Sequence, residues 1–157
     1  MLAGQAEDPE HFDVPRERID GARHALAAVG GELDERWIAP GEFTVECGYR
    51  AARTLLEPAE RPTALFALSD EMAFGAVLAA RDLGLDVPGD VSLVGVDDHE
   101  TAAVYGLTTV RQHVVEQGAI AARLVLRTLA SAPGGSREDV TVPAIELVVR
   151  RSTGPVS

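Results

Sequence analysis

The sequence predicts an α/β fold, a doubly wound parallel sheet flanked by helices, and three observations predict it. Helical and strand-like segments alternate along the chain. The strand candidates at 63–68 and 91–96 are apolar on both faces, as strands sandwiched between helices are. The helical segments repeat small and apolar residues at helical spacing. Repeated βα units join through right-handed crossovers into one sheet, and ligands then bind beyond the carboxyl ends of its strands.

Taken in order, Met1 to Gly4 reads as the tail of a strand. From Pro15, a helix carries Ile19, Ala22, Leu26 and Val29 on one face and ends at Gly30-Gly31. Trp37-Ile38 is strand-like before Pro40-Gly41. Thr44 caps a helix with Gly48, Ala51, Ala52 and Leu55 inward, closed by Pro58. After the strand 63–68, Ser69 or Asp70 caps a helix with Met72, Ala73, Ala76, Val77, Ala80 and Leu83 inward, stopped by Gly84. Pro88-Gly89-Asp90 turns the chain into strand 91–96. Thr108 to Arg111 forms a further strand. A long helix from Val114 to Leu129 turns Val114, Gly118, Ala121, Ala122, Val125 and Leu129 inward. Residues 132–136 form a loop, and 140–142 and 145–149 are strands around Pro143.

Composition narrows the function classes. The 157 residues are 46% hydrophobic, enough for one domain with a packed core. No apolar run approaches the ~20 residues of a membrane span. The amino terminus has neither the basic region nor the apolar core of a secretory signal, which sets the expectation of a cytoplasmic protein. A net charge of −11 makes the segment a poor partner for nucleic acid, whose binding draws on Lys and Arg. All of the positive charge is arginine. A single cysteine, Cys47, excludes an internal disulfide and any multi-cysteine metal site.

Polar residues where strands give way to helices are the candidates for chemistry. Ser69-Asp70 and Asp97-Asp98 each follow a strand, and Arg18 lies in the first turn of the first helix. Each has an ordinary reading: helix cap, solvated turn, exposed first-turn charge. Phe43, just before the Thr44 cap, has the ordinary reading of a staple packing on its own helix. Together they describe a polar cleft with one aromatic wall. A carboxylate such as Asp97 accepts hydrogen bonds from two neighbouring hydroxyls, and Arg18 offers a planar fork of donors. Phe43 can cover the C–H face of a sugar or purine.

The wording of the sequence is specific at this point. RPTALFALSDEMAFGAVLAARDLGLDVPGDVSLVG from Arg61, continuing into VDD, resembles the effector-binding domain of LacI/GalR-type transcription regulators. So do LTTVRQ at Leu107 to Gln112 and ELVVRRSTGP at Glu146 to Pro155. Upstream, LAG at Leu2, the Arg18-x-x-Gly21 pair and GEFTVECGYRAARTLL from Gly41 follow the same pattern in the same order. The resemblance spans nearly the whole chain. It implies a periplasmic-binding-protein-like fold of type I, with residues 1–157 forming mainly the C-terminal lobe. Residues 112–140 would cross to the first lobe. The DNA-binding head and most of that first lobe would lie outside this segment.

By position, the resemblance implies effector contacts from Arg18, Phe43, Ser69, Asp97, Val114 and Gln117, and a dimer contact from Phe74 and Leu78. It implies a small-molecule effector, a sugar or similar polyhydroxylated compound, with operator DNA reached only through the missing head. It also implies a homodimer, no membrane and no cofactor. The sequence departs from the pattern at the short loop HETAAVYG, at Gly106, at His113 in place of a frequent proline, and at Gln117 in place of Met or Leu. These make the cleft more polar and leave its ligand unnamed. An enzyme is disfavoured, because no GxSxG, GxxxxGK[ST] or HExxH motif is present and the four histidines lack ligand spacing. His99 beside Asp97 and Asp98 could form an acid–base cluster, against the simpler reading of a solvated loop. An extracytoplasmic sugar-binding protein of an uptake system shares the fold and is the alternative.

Overall fold

The structure is a computed structural model that describes residues 1–4, 14–130 and 141–155. Its elements run β1 (Leu2–Gly4), α1 (Val14–Ala28), β2 (Ala39–Gly41), α2 (Val45–Leu56), β3 (Ala64–Phe66), α3 (Asp70–Asp82), β4 (Ser92–Asp97), α4 (Ala102–Tyr105), β5 (Thr108–Arg111), α5 (Val114–Ala130) and β6 (Glu146–Val148). β1 pairs parallel with β2, and β3, β4 and β5 pair parallel in that order. A bridge from Leu2 to Ala67 links the two groups. The strand order is therefore β2-β1-β3-β4-β5-β6, the layout of a wound α/β sheet.

β6 pairs antiparallel with β5, with Val110 opposite Leu147, so the sheet is parallel-dominant rather than purely parallel. The strand expected at 145–149 is β6. Of the strand expected at 140–142, Thr141 and Val142 are non-strand, and residue 140 lies outside the described residues, as does the loop expected at 132–136.

The faces of the sheet follow from strand alternation. Leu65 joins the larger core, where α2 and α3 cover Leu2, Val91, Leu93 and Leu107. Its neighbour Phe66 points to the opposite face and packs with Met1, Leu68 and the α1 residues Ile19 and Ala22. Helices thus cover both faces. α2 and α3 pack closely because each places a glycine at the crossing. A Cβ on Gly48 would collide with the Met72 backbone, and one on Gly75 with the backbone of Val45 and Tyr49.

Local signals set the helix ends. Thr44 Oγ1 accepts from the Cys47 N–H at 3.2 Å and caps α2. Ser69, rather than Asp70, caps α3, accepting from the Met72 N–H at 3.2 Å. Gly84 follows α3 at φ +74°, the left-handed conformation that glycine adopts freely. Two expectations fail. Trp37 lies in a 3₁₀ turn, Glu35–Trp37, because Asp34 accepts from the Arg36 N–H and tightens the chain; the strand starts at Ala39. The face of α5 expected to turn inward is exposed: Val114 is 63%, Val125 58% and Leu129 78% accessible. Helical periodicity identifies an apolar face, not what covers it.

The C-terminal segment is bound by charge. Asp98 Oδ1 accepts from Arg150 and Oδ2 from Arg111, both at 2.7 Å. Arg150 also donates to the Leu107 carbonyl at 2.8 Å, and Arg111 reaches Glu146 of β6 at 3.0 Å. Burial pushes the Asp98 carboxyl up, but the two guanidinium groups outweigh it and hold the pKa below its usual value of 3.8. A carboxyl with a lowered folded-state pKa contributes stability above its unfolded pKa and loses it as pH falls through the folded value.

Two predictions follow from this packing. Gly75→Ala is expected to lower stability by about 1–3 kcal/mol or more, read as a reduced urea midpoint with unchanged slope. Asp98→Asn is expected to cost about 1–3 kcal/mol at neutral pH. In urea titrations across pH, its deficit relative to the parent chain should shrink as pH falls below 3.8 towards the lowered folded-state value, where the folded parent loses the same charge. A deficit that stayed constant into acid would show that charge is not what binds the segment.

Candidate functional site

The parallel strands β1, β3, β4 and β5 end on one rim, and the polar candidates meet there. β3 runs out through Leu68, whose carbonyl accepts a hydrogen bond from the Arg18 guanidinium of α1. The other Arg18 amine lies 3.5 Å from Gln112 Oε1, one residue past β5. Gln112 Nε2 donates to Asp97 Oδ1, at the end of β4, at 2.6 Å. Gln117, in the first turns of α5, donates through Nε2 to the Gln112 carbonyl. Residues from four separate stretches of chain thus join in one network.

The remaining candidates lie on the flanking elements. Ser69 follows Leu68 directly and is 5% exposed, its Oγ engaged in the α3 cap. Phe43 bridges the two apolar clusters, including the one built on Met1 and Leu68. The larger of these clusters includes Ala51, Ala52 and Leu55 of the helix that follows Phe43. Val114 is exposed at the start of α5. Phe74 is 6% exposed, its ring stacked on Tyr105 with centroids 4.7 Å apart and edge-on to His99 at 6.1 Å. Leu78 is half-buried one turn further along.

Asp97 has the electrostatics of a receptor for hydrogen-bond donors. Burial is the largest influence and raises its pKa; Arg18 and the Gln112 amide act against this, and nearby Glu71 adds to it. Asp97 itself is exposed at the strand end, so its carboxylate stays open to a ligand's hydroxyls. Its backbone has φ +117°, followed by Asp98 at +54°, uncommon values for residues with side chains. The arginine pair on Asp98, and the Asp98 N–H donated to Thr109 Oγ1 at 3.2 Å, hold this turn.

Gln112 is a contributor that carries no expected role from the sequence, and the partners of Asp98 and Asp70 go beyond their ordinary readings. Gln112, at the end of LTTVRQ, occupies the same rim as Asp97. Asp98 read as a solvated turn, because Arg150 is 52 residues away. Asp70 is one of the strand-end candidates, with helix capping as its ordinary reading. In the structure its carboxylate is 1% exposed, accepting from Thr109 Oγ1 at 2.6 Å and the His99 N–H at 2.8 Å. Burial raises its pKa against those two hydrogen bonds. His99 Nδ1 accepts from the Thr101 N–H at 3.1 Å, so the ring is tied into its own loop. An open cavity of about 380 Å³ lies between β2 and α2, lined by Arg36, Cys47, Arg50 and Thr54 among others. None of the rim residues lines it.

Residues 1–153 match the family of periplasmic binding protein-like domains. Over 139 residues the chain is 38% identical to the HTH-type transcriptional repressor PurR of Erwinia tasmaniensis, covering 84% of this chain and 40% of that protein. A putative LacI-family transcriptional regulator from Sanguibacter keddieii superimposes with a TM-score of 0.82 at 34% identity, covering 99% of this chain and 58% of that one. The transcriptional regulator CelR, solved with cellobiose, gives a TM-score of 0.80 at 36% identity, covering 96% of this chain and 46% of that one. The chain spans about two-fifths of the length of the curated repressor it matches. Sheet order, rim and matches agree: this chain belongs to the periplasmic binding protein-like domain family, in the form carried by LacI-type transcription regulators.

Proposed function

We propose that this chain is the effector-sensing part of a LacI-type regulator and that its ligand is a sugar or a similar polyhydroxylated molecule. The observation that carries the reading is the convergence of Arg18, Gln112 and Asp97 on one rim. Asp97 would accept from two ligand hydroxyls and Arg18 would donate to ligand oxygens. Phe43 would cover an apolar ligand face, and Ser69, Val114 and Gln117 would border the cleft. The cellobiose of CelR supports a sugar-sized neutral ligand. No catalytic step is part of this role.

The exposed face of α5 fits a segment that leaves this lobe. Val114, Val115, Val125, Leu126 and Leu129 are all more than half accessible, a stripe that an isolated lobe has no means of burying. In the intact regulator, residues 112–140 cross to the first lobe and that lobe covers them. The chain's charge of −11 leaves DNA contact to a separate head. α3, with Phe74 and Leu78, would meet its copy in a homodimer, and the protein would work in the cytoplasm. Effector binding shifts an open–closed balance between lobes by its differential affinity for the two states, typically ~1–3 kcal/mol.

The test is a thermal-shift screen of the intact regulator against sugars, purines and sugar acids, where stabilisation by one class identifies the ligand chemistry. With that ligand, Asp97→Ala is expected to abolish the effector response in an operator-binding assay while operator binding without effector persists. Hydrogen bonds to a charged acceptor are worth ~1.5–3 kcal/mol each, so its loss should weaken effector binding by at least about tenfold. A normal effector response in the variant removes Asp97 from the site.

A further inference from the structure

The amide of Gln112 engages both charged groups of the rim at once. Its Nε2 donates to Asp97 Oδ1 at 2.6 Å, and its Oε1 faces the Arg18 guanidinium at 3.5 Å. One donor and one acceptor on adjacent atoms is also what a pair of neighbouring hydroxyls presents. A ligand diol that bound Asp97 and Arg18 would therefore compete for the lone pair and the N–H that Gln112 already occupies. The same residue sits at the point where the chain leaves the sheet. Its carbonyl accepts from Gln117 Nε2 in α5, and the intervening His113 takes φ +54°.

We propose that Gln112 is a built-in occupant of the effector site, a latch that the ligand displaces rather than a contact that the ligand gains. With the latch closed, Asp97 and Arg18 satisfy one another through the amide and the rim is electrostatically quiet without ligand. When a diol takes those two partners, the Gln112 side chain must rotate away. That rotation occurs at the residue whose main chain is tied to the first turns of α5, so occupancy of the site is transmitted directly to the segment that leaves the lobe. This inference rests on the polyhydroxylated-ligand reading above.

A latch and a contact predict opposite signs. Apparent affinity equals intrinsic affinity multiplied by the fraction of open sites, so a latch closed nine-tenths of the time weakens binding about tenfold. The experiment is calorimetric titration of the intact regulator with neutral mono- and disaccharides, cellobiose included. It compares the parent with Gln112→Ala and with Gln112→Met, which keeps side-chain bulk without the amide. Melting temperatures of the free proteins show which variants are folded. The expected result is that the folded variants bind the same sugar about tenfold more tightly, or bind a sugar the parent does not measurably hold. Weaker or unchanged binding in the variants, with a parent that binds, overturns the latch and leaves the sensing role intact. No binding of any sugar by parent or variants overturns the polyhydroxylated-ligand reading, and the latch with it.

Discussion

The rim depends on one buried carboxylate. Asp70 enters the first turn of α3 immediately after the Ser69 cap and is 1% exposed. It has no cation among its hydrogen-bond partners; what holds it is a hydroxyl from β5, Thr109, and the N–H of His99 in the turn after β4. Burying a charge this way is tolerable only if its lone pairs are filled, and the N-terminus of a helix adds a favourable field. Space is made by Gly95 in the middle of β4, where any Cβ would fall on Asp70 Oδ1. Three elements distant in sequence are thereby fixed against one another at the strand ends where ligands bind in such sheets.

From that anchor the order of the rim can be traced outward. His99, held by Asp70, closes a turn whose two preceding residues both have positive φ. Strained backbone persists only where its surroundings over-determine it. Here the constraint comes from both sides: Asp70 grips the far end of the turn, while Arg111 and Arg150 grip Asp98 in the middle. The consequence is that Asp97, exposed at the end of β4, is the one carboxylate of the three projected outward. Asp98 spends its charge on structure and Asp70 spends its own on the core. Three neighbouring acids in one small region thus have three different roles, set by what lies within reach of each.

How much of this the sequence carried depended on the range of the interaction. The α3 segment was legible because its signals are local: a serine cap, small residues at helical spacing and Gly84 in the left-handed conformation. The rim was legible because strand ends in a parallel sheet share an edge whatever their separation in sequence. Asp98 was not, since its partners Arg111 and Arg150 are 13 and 52 residues away and nothing in a polar turn announces them. The antiparallel β6 was not, because pairing direction follows from where the returning segment enters the sheet. The apolar face of α5 was read correctly as apolar and wrongly as inward, for periodicity is a property of the helix and burial a property of its neighbour.

That last distinction bears on how a sensing role would work. The larger core is closed within the described residues, with Leu2, Leu65, Met72, Leu93 and Leu107 essentially inaccessible. A close-packed interior has low compressibility, so a small ligand at the rim would have little leverage on it. What it can reach is the junction at 112–117, where Gln112 touches Asp97 and Arg18 on one side and Gln117 on the other. Within that junction begins α5, whose apolar stripe is exposed. That stripe, which begins two residues after Gln112, would in the proposed regulator be covered by the first lobe, so the moving part would lie outside this segment. In the proposed regulator, effector chemistry is converted to motion at that boundary, and the sheet serves as the fixed frame against which α5 and its partner lobe shift.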